Sequence, residues 1–241
     1  AAAPLLFGQH FTDQVKLGSH QAKYASDGSL LPWASWSDAL DREMAWYFRS
    51  PMEHGYPRFI TLTFMDGNYD PIARRHDFIP SMQNGFGIIS YLKYYHLKKE
   101  KKPEALRFAR YMGDYLVKES LTPDTGKYPR FTRSTGIREN FPQPPDSGTQ
   151  DDKPYEIEPD KGAIAGYALA LLYRETRDAR YLAQALQNAR VLSANMRTGD
   201  ETHSPWPVRA DYRTGEARGD ISGSMSFSLR LFDKLIALGH P

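Results

Sequence analysis

The stretch GAIAGYALALLYRETRDARYL, at residues 162–182, decides the fold. Its first half is apolar nearly all round, which predicts a helix that is buried on most sides. A short polar link follows at residues 176–178, and the next helix places its apolar residues on one face only. Two helices joined by so short a link predict an antiparallel helical hairpin with one inner and one outer helix.

The same hairpin pattern recurs along the chain at a nearly constant spacing. In the outer helices, small and apolar residues at spacings of 3, 4 and 3 repeat 76 residues later: Leu106, Ala109, Gly113 and Leu116 match Leu182, Ala185, Ala189 and Leu192. In the inner helices the offset is 79: Pro80, Gly87, Leu92 and Tyr94 match Pro159, Gly166, Leu171 and Tyr173. The outer spacing places each set on one helix face, and the prolines stand where a helix begins.

We predict six main helices that alternate outer and inner. The first outer helix spans residues 37–49 with Ser37 as its N-cap, the inner helices span 81–97, 160–175 and 222–238, and the three repeats span 37–98, 103–176 and 178–238. Long loops follow the outer helices at 51–79, 121–158 and 198–220, with short strands such as 59–64 inside them. All three loops emerge on the same side, and long loops in compact domains are usually functional.

Residues 80–238 resemble the α/α-toroid enzymes of the six-hairpin glycosidase-like superfamily. Their hairpin links commonly run from a tyrosine through a few residues to Thr-Gly-Asp-x-x-Tyr-Leu, and Tyr173 to Leu182 is similar, with Arg177 in place of the glycine. The resemblance implies an all-α fold, an incomplete or small α/α toroid of about three helical hairpins with long inter-hairpin loops. It also implies one domain over residues 1–241, as a whole protein or as a piece of a larger toroid.

Composition excludes several classes of protein. The chain has no cysteine, which excludes disulfides, thiol nucleophiles and thiolate metal sites. A net charge of +2 is too small to indicate a nucleic-acid partner, and the longest apolar run, at 162–173, is far shorter than the ~20 residues that span a bilayer. The opening AAAP fits the remnant of a cleaved signal peptide, so we expect a periplasmic or secreted protein, with a cytoplasmic one as the alternative.

Candidate catalytic residues are the acids nearest the starts of inner helices, namely Asp77, Glu156, Glu158 and Asp160. The resemblance implies two carboxylates across a cleft, one protonated and one ionised, and Asp77 with Glu158 or Asp160 fits that layout. The alternative is structural, because acids near a helix N-terminus are favoured by capping and by the helix dipole.

Candidate sugar-binding residues lie in a repeated loop motif. Tyr-Pro-Arg-Phe at 56–59 recurs at 128–131 and, more loosely, as Trp-Pro-Val-Arg at 206–209. Stacking of sugar rings on the aromatic members and bidentate contacts from the arginines predict substrate-binding roles for Tyr56, Arg58, Tyr128, Arg130, Trp206 and Arg209. His76 and His203 are further candidates, as a base or a sugar ligand. The alternative is a structural turn that recurs because the fold recurs.

The function we expect is that of a carbohydrate-active protein, a glycoside hydrolase acting on an oligo- or polysaccharide through paired carboxylates. The alternatives are a polysaccharide lyase that cleaves a uronate polymer by β-elimination, a sugar epimerase or isomerase, and a non-catalytic glycan-binding toroid. No cofactor is required. Asp66, Asn68 and Asp70 have the spacing of a calcium loop, although Pro71 stands where that loop needs glycine, so an ordinary Asx-rich turn is the alternative.

Overall fold

The described part of the chain is mostly helical, as the sequence predicts. The computed structural model describes residues 23–31, 35–49, 52–53, 56–57, 64–65, 71–73, 80–98, 100, 102–134, 155–220 and 225–240. Within these ranges lie six α-helices: α1 (Trp36–Phe48), α2 (Pro80–Leu97), α3 (Pro103–Lys118), α4 (Pro159–Thr176), α5 (Ala179–Ala194) and α6 (Ser226–Ala237). None of the helices in the described ranges is long and apolar enough to cross a bilayer.

The strands in these ranges are two or three residues long and lie in the segments between the helices. Three antiparallel ribbons pair β1 (Lys23–Tyr24) with β2 (Leu30–Leu31), β3 (Met52–Glu53) with β4 (Tyr56–Pro57), and β5 (Phe64–Met65) with β6 (Pro71–Ala73). A three-stranded antiparallel sheet joins β7 (Glu156–Ile157), β8 (Arg209–Asp211) and β9 (Ala217–Arg218). Only residue 64 of the predicted strand at 59–64 lies within the described residues, and there it begins β5.

The helix starts follow the sequence closely, with one correction. α2 and α4 begin at Pro80 and Pro159, as predicted. The N-cap of α1 is Ser35, whose hydroxyl accepts a hydrogen bond from the Asp38 N–H at 3.1 Å. Ser37, the predicted cap, lies inside the first turn and accepts a hydrogen bond from Lys98 instead. The predicted first residues of α6, 222–224, lie outside the described residues.

The helix contacts agree with the predicted hairpins. α4 packs against α2 and α6, while α3 packs on α2 and α5 packs on α4. The repeated small residues of α3 and α5 point into the core, and Ala109, Gly113, Leu116, Ala185 and Leu192 are buried. A side chain at Gly113 would lie 2.5 Å from Leu172, so glycine permits the close approach of α3 to α4. Closure of such layers into a toroid stays a prediction.

One loop ties the inner helices together at their N-terminal ends. This crossing segment, residues 120–134, follows α3. The carbonyl oxygen of Arg133 accepts hydrogen bonds from the Ser81 N–H at 3.0 Å and from its hydroxyl at 2.5 Å. The next residue, Ser134, accepts a hydrogen bond from the Glu158 N–H at 2.5 Å. The starts of α2 and α4 therefore lie side by side, at the end of the helices where the predicted catalytic acids stand.

Candidate functional site

A group of carboxylates and cations surrounds the start of α4. We call it the carboxylate cluster and define it by Glu156, Glu158, Asp160, Lys161, Arg209 and Arg218. Two elements position it, because Glu158 and Asp160 flank Pro159 at the start of the helix, while Glu156, Arg209 and Arg218 come from the three-stranded sheet. The sheet register pairs Ile157 with Ala210 and Arg209 with Arg218, which brings both arginines beside the glutamates.

Glu156 is the most tightly paired member of the carboxylate cluster. Glu156 is 6% exposed, and its two carboxylate oxygens accept hydrogen bonds from Arg218 at 2.7 and 2.6 Å. Such a bidentate pair fixes the geometry of both side chains. The arrangement favours a structural role for Glu156, which anchors β9 to β7.

Glu158 and Asp160 meet at one ammonium group. Lys161 Nζ lies 2.9 Å from Asp160 Oδ2 and 3.6 Å from Glu158 Oε2, and Arg209 lies 3.3 Å from the other oxygen of Glu158. Burial lowers the pKa of Lys161, but the hydrogen bond and charge of Asp160 and the charge of Glu158 outweigh it, so the net shift of the Lys161 pKa is upward. The lysine therefore stays protonated between the two carboxylates.

This geometry limits the chemistry that the two carboxylates can perform. Because both oxygens contact one nitrogen, they lie less than about 7 Å apart. Adjacent cations favour the ionised form of a carboxyl group. Glu158, which lies between Lys161 and Arg209, is thus suited to act as a base or nucleophile, and it needs a separate proton donor for acid/base chemistry.

Two members of the carboxylate cluster were missed from the sequence. Lys161 carries a local signal, because it follows Glu158 by three residues and such pairs face each other on a helix. Arg218 carries no local sequence signal, since it reaches Glu156 across the sheet from 62 residues away. Arg209 was predicted to bind substrate, and the structure places it against Glu158 with its side chain 19% exposed.

The aromatic members of the repeated loop motif lie in the core. Tyr128 is 2% exposed, and burial raises the pKa of its phenol to about 12. Trp206 is 5% exposed, and its indole N–H donates to the carbonyl oxygen of Leu192 at 2.8 Å. Neither ring presents a face for a sugar to stack on, so their burial favours the structural interpretation of the motif.

The other predicted site residues lie apart from the carboxylate cluster or outside the described residues. Arg130 is exposed and has a left-handed backbone, with φ of 48°. His203 lies on an exposed turn, where its Nδ1 is 3.0 Å from Asp200 and 2.8 Å from the Thr202 hydroxyl. Tyr56 lies in β4, of whose side chains nothing is described. The remaining predicted residues lie outside the described part of the chain: Arg58, Asp66, Asn68, Asp70, His76 and Asp77.

Metal ligation finds no support in the described part of the chain. Within it, no three histidine, aspartate or glutamate side chains are arranged to hold a metal ion. The carboxylates that do converge are bound by lysine and arginine side chains. Of the predicted calcium loop at residues 66–77, the structure describes only the backbone of β6, at residues 71–73. The rest of the loop lies outside the described ranges, so the calcium site stays a prediction.

Comparison of the chain with protein-family models, with curated proteins and with solved structures finds no match. The resemblance to the α/α-toroid enzymes therefore stays a prediction from residues 80–238. A functional conclusion has to be drawn from the chemistry of the carboxylate cluster.

Proposed function

We propose that the chain is a carbohydrate-active α/α-toroid protein that hydrolyses an oligo- or polysaccharide. One observation carries the proposal: Glu158 and Asp160 converge on Lys161 at the start of the central inner helix. At this N-terminal end of α4, the crossing segment forms hydrogen bonds with the starts of both α2 and α4. Glycoside hydrolysis requires one ionised and one protonated carboxyl group, and Glu158 would supply the ionised one.

In the proposed mechanism Glu158 is the ionised carboxylate. Its side chain is 14% exposed, so it is shielded from bulk water yet open enough to meet a substrate. Arg209, Lys161 and the positive end of the α4 dipole all stabilise its negative charge. Glu158 would attack the anomeric carbon or activate water there. Asp77, the acid that the sequence places before α2, is the candidate proton donor.

A lyase is the second candidate, and the cations favour it. Lys161 and Arg209 lie beside Glu158 at the same partly exposed place. In β-elimination, a cation neutralises the carboxylate of a uronate, a base removes the proton on C5, and the C4–O bond to the leaving sugar breaks as the C4–C5 double bond forms. Lys161 and Arg209 would serve as the neutralising groups if the substrate were a uronate polymer. An epimerase or a non-catalytic glycan-binding protein would form no cleavage product.

The proposal is tested by incubating the protein with a panel of neutral and uronate polysaccharides. We expect new reducing ends without ultraviolet absorbance from an unsaturated uronate, which identifies hydrolysis. Glu158→Gln should lower the rate at least a hundredfold, because the amide cannot act as a nucleophile or base. The matched control is Glu175→Gln, at the other end of the same helix. Glu175 is also ion-paired, to His96 at 2.9 Å, and its side chain is 15% exposed.

Each outcome assigns or rejects a function. Reducing ends together with the unsaturated chromophore would show the lyase instead of the hydrolase. Cleavage that survives Glu158→Gln and Asp160→Asn would reject the carboxylate cluster as the catalytic site. Binding without any cleavage across the panel would favour a glycan-binding protein, and an altered sugar of unchanged chain length would favour an epimerase.

A further inference from the structure

A groove lies where the C-terminal end of α3, the first half of α5 and the crossing segment meet. Its volume is about 620 Å³, within the range of pockets that hold small ligands. The structure describes four charged residues along it: Lys118 of α3, Arg180 of α5, and Asp124 and Arg130 of the crossing segment. None of these residues belongs to the carboxylate cluster, so the groove is a separate feature of the molecule.

One of the three cations in the groove is already neutralised. The Arg180 guanidinium lies 2.6 Å from Asp178 and 3.1 Å from Asp114, two carboxylates that do not line the groove. Lys118 Nζ lies 4.0 Å from Asp114, beyond hydrogen-bond distance, and its side chain is 52% exposed. Because Asp114 contacts Arg180 more closely, the ammonium of Lys118 remains accessible to a ligand.

The backbone of Arg130 is held in a conformation that a side chain disfavours. Its φ of 48° lies in the left-handed region, which glycine adopts readily. Two amides of α5 hold it there, because Gln184 donates to the carbonyl oxygen of Arg130 at 2.7 Å and Gln187 donates to that of Pro129 at 2.8 Å. Arg177 is also left-handed, with φ of 57°, but it is the C-cap of α4, where this conformation is common. No described helix ends at Arg130, and strained residues that their surroundings hold in place cluster at functional sites.

Arg130 and Asp124 are the free charged groups of the groove. Both are exposed, and within the described ranges neither has an ion-pair partner. The guanidinium of Arg130 suits a carboxylate, which it can bind through two parallel hydrogen bonds, and Lys118 adds a second positive charge. The carboxylate of Asp124 only accepts hydrogen bonds. A ligand that uses all three groups must therefore combine an acid group with hydrogen-bond donors.

We propose that this groove binds uronate units of an acidic glycan, with the sugar carboxylate on Arg130 and Lys118 and a ring hydroxyl donating to Asp124. A neutral sugar would leave the charge of Arg130 without a partner. A sulfate ion has no hydroxyl to donate and would meet the negative charge of Asp124. The inference rests on the proposed function and deepens it, because it names the class of sugar that the protein holds outside the carboxylate cluster.

The crossing segment links the groove to the carboxylate cluster. Arg130 stands four residues before Ser134, whose hydroxyl accepts a hydrogen bond from the Glu158 N–H. Four residues of extended chain span at most about 14 Å, so Arg130 lies within that distance of the residue that contacts Glu158. The two places are therefore close enough for one glycan chain to contact both.

The test locates and measures binding by nuclear magnetic resonance. Oligomers of galacturonate, glucuronate and mannuronate, and the matching neutral oligomers, are titrated into the wild-type chain, Arg130→Gly and Arg130→Lys. We expect at least one uronate series to shift the amide signals of residues 117–130 and 180–187, and the neutral series to leave them in place. The Kd of the uronate should rise about tenfold or more in Arg130→Gly, which loses a charge-assisted hydrogen bond, and by less in Arg130→Lys.

Arg130→Gly also separates binding from stability. Glycine adopts a φ of 48° readily, so this variant should fold with the stability of the wild-type chain in urea denaturation. Arg177→Gly is the matched control, because Arg177 is also an exposed arginine with a left-handed backbone but does not line the groove. Its Kd for the uronate should stay within about twofold of the wild-type value. A loss of stability in Arg130→Gly with unchanged uronate binding would show that Arg130 is structural.

The two proposals fail in different ways. If no uronate series shifts the groove signals, or if Kd is unchanged in Arg130→Gly, the groove assignment is overturned, while cleavage that depends on Glu158 leaves the proposed function standing. If uronates bind in the groove but Glu158→Gln changes no rate, the hydrolase proposal fails and the groove assignment stands. Equal shifts from sulfate at the same ionic strength would show a site for any anion and would also overturn the assignment.

Discussion

The side-chain amide of Asn188 on α5 donates to the carbonyl oxygen of Gly162 on α4 at 2.9 Å. The same amide nitrogen donates to the hydroxyl of Thr132 in the crossing segment at 2.7 Å, and the amide oxygen accepts from Gln184 at 2.9 Å. Asn188 is fully buried. One side chain therefore joins an inner helix, an outer helix and the loop that leads to the carboxylate cluster.

We expect Asn188→Ala to lower the free energy of unfolding by about 2–3 kcal/mol, because it leaves buried polar partners unpaired and a small cavity. Urea denaturation followed by circular dichroism measures this loss. The control is Asn195→Ala. Asn195 is the C-cap of α5, and its side-chain amide donates a more exposed hydrogen bond to the carbonyl oxygen of Lys127 at 2.8 Å. That variant should lose about 0.5–1 kcal/mol. Equal losses in the two variants would contradict a special role for Asn188.

Gly162 and Gly87 offer a matched pair of glycine substitutions in inner helices. A Cβ at Gly162 would lie 2.1 Å from the ring of Phe131, which is fully buried, whereas a Cβ at Gly87 would meet the flexible side chain of Met112. We expect Gly162→Ala to cost about 2 kcal/mol by overpacking. Gly87→Ala should cost less than about 1 kcal/mol, because the gain in helix propensity offsets the adjustment of Met112.

The cause of the Gly162 effect is testable by rescue. Adding Phe131→Leu to Gly162→Ala makes room for the new methyl group, so the double variant should lose less stability than the two single changes together predict. If the losses of stability are purely additive, the contact between the crossing segment and α4 does not determine which side chain is tolerated at position 162. Thermal unfolding of the four proteins completes the comparison.

Alkaline pH should destabilise the fold through Tyr128. Its pKa is raised from near 10 to about 12 because burial disfavours the charged phenolate. The unfolded chain releases this proton first, so the stability is fully present below pH 10 and is lost as the pH rises toward 12. Tyr128→Phe removes the titrating group and keeps the ring against Phe131.

The stability of Tyr128→Phe relative to wild type should therefore rise by about 1.4 kcal/mol between pH 8 and pH 11. Urea denaturation at the two pH values measures the change. Tyr24→Phe is the control, since Tyr24 is 64% exposed, and its stability relative to wild type should stay constant. An unchanged difference for Tyr128→Phe would show that the phenol of Tyr128 is accessible to water.

The hairpins were predictable because their signals are local. Prolines at 80 and 159 begin helices, and small residues at helical spacing mark the faces that pack closely. The N-cap of α1 was predicted two residues late, because Ser35 and Ser37 satisfy the same sequence rule and only the backbone geometry separates them. The sequence therefore locates this helix cap to within one helical turn.

The candidate site was predictable in part. The acids at the start of α4 follow from their position before and after Pro159, and the structure brings Glu158 and Asp160 together through Lys161. The pairing of Glu156 with Arg218 depends on sheet register, which no local pattern reveals. The repeated loop motif left sugar stacking and a structural turn both open at Tyr128 and Trp206, and burial favours the turn.

The crossing segment has a consequence for how this chain tolerates change. Its hydrogen bonds to Ser81 and to the Glu158 N–H come from neighbouring residues, through the carbonyl of Arg133 and the hydroxyl of Ser134. An insertion between those two residues would change the spacing between the starts of α2 and α4. Residues added before residue 120 or after residue 134 would leave that spacing unchanged. New loops could therefore be grafted on either side of this two-residue anchor, and sequence variation among related chains should concentrate there while the anchor keeps its length.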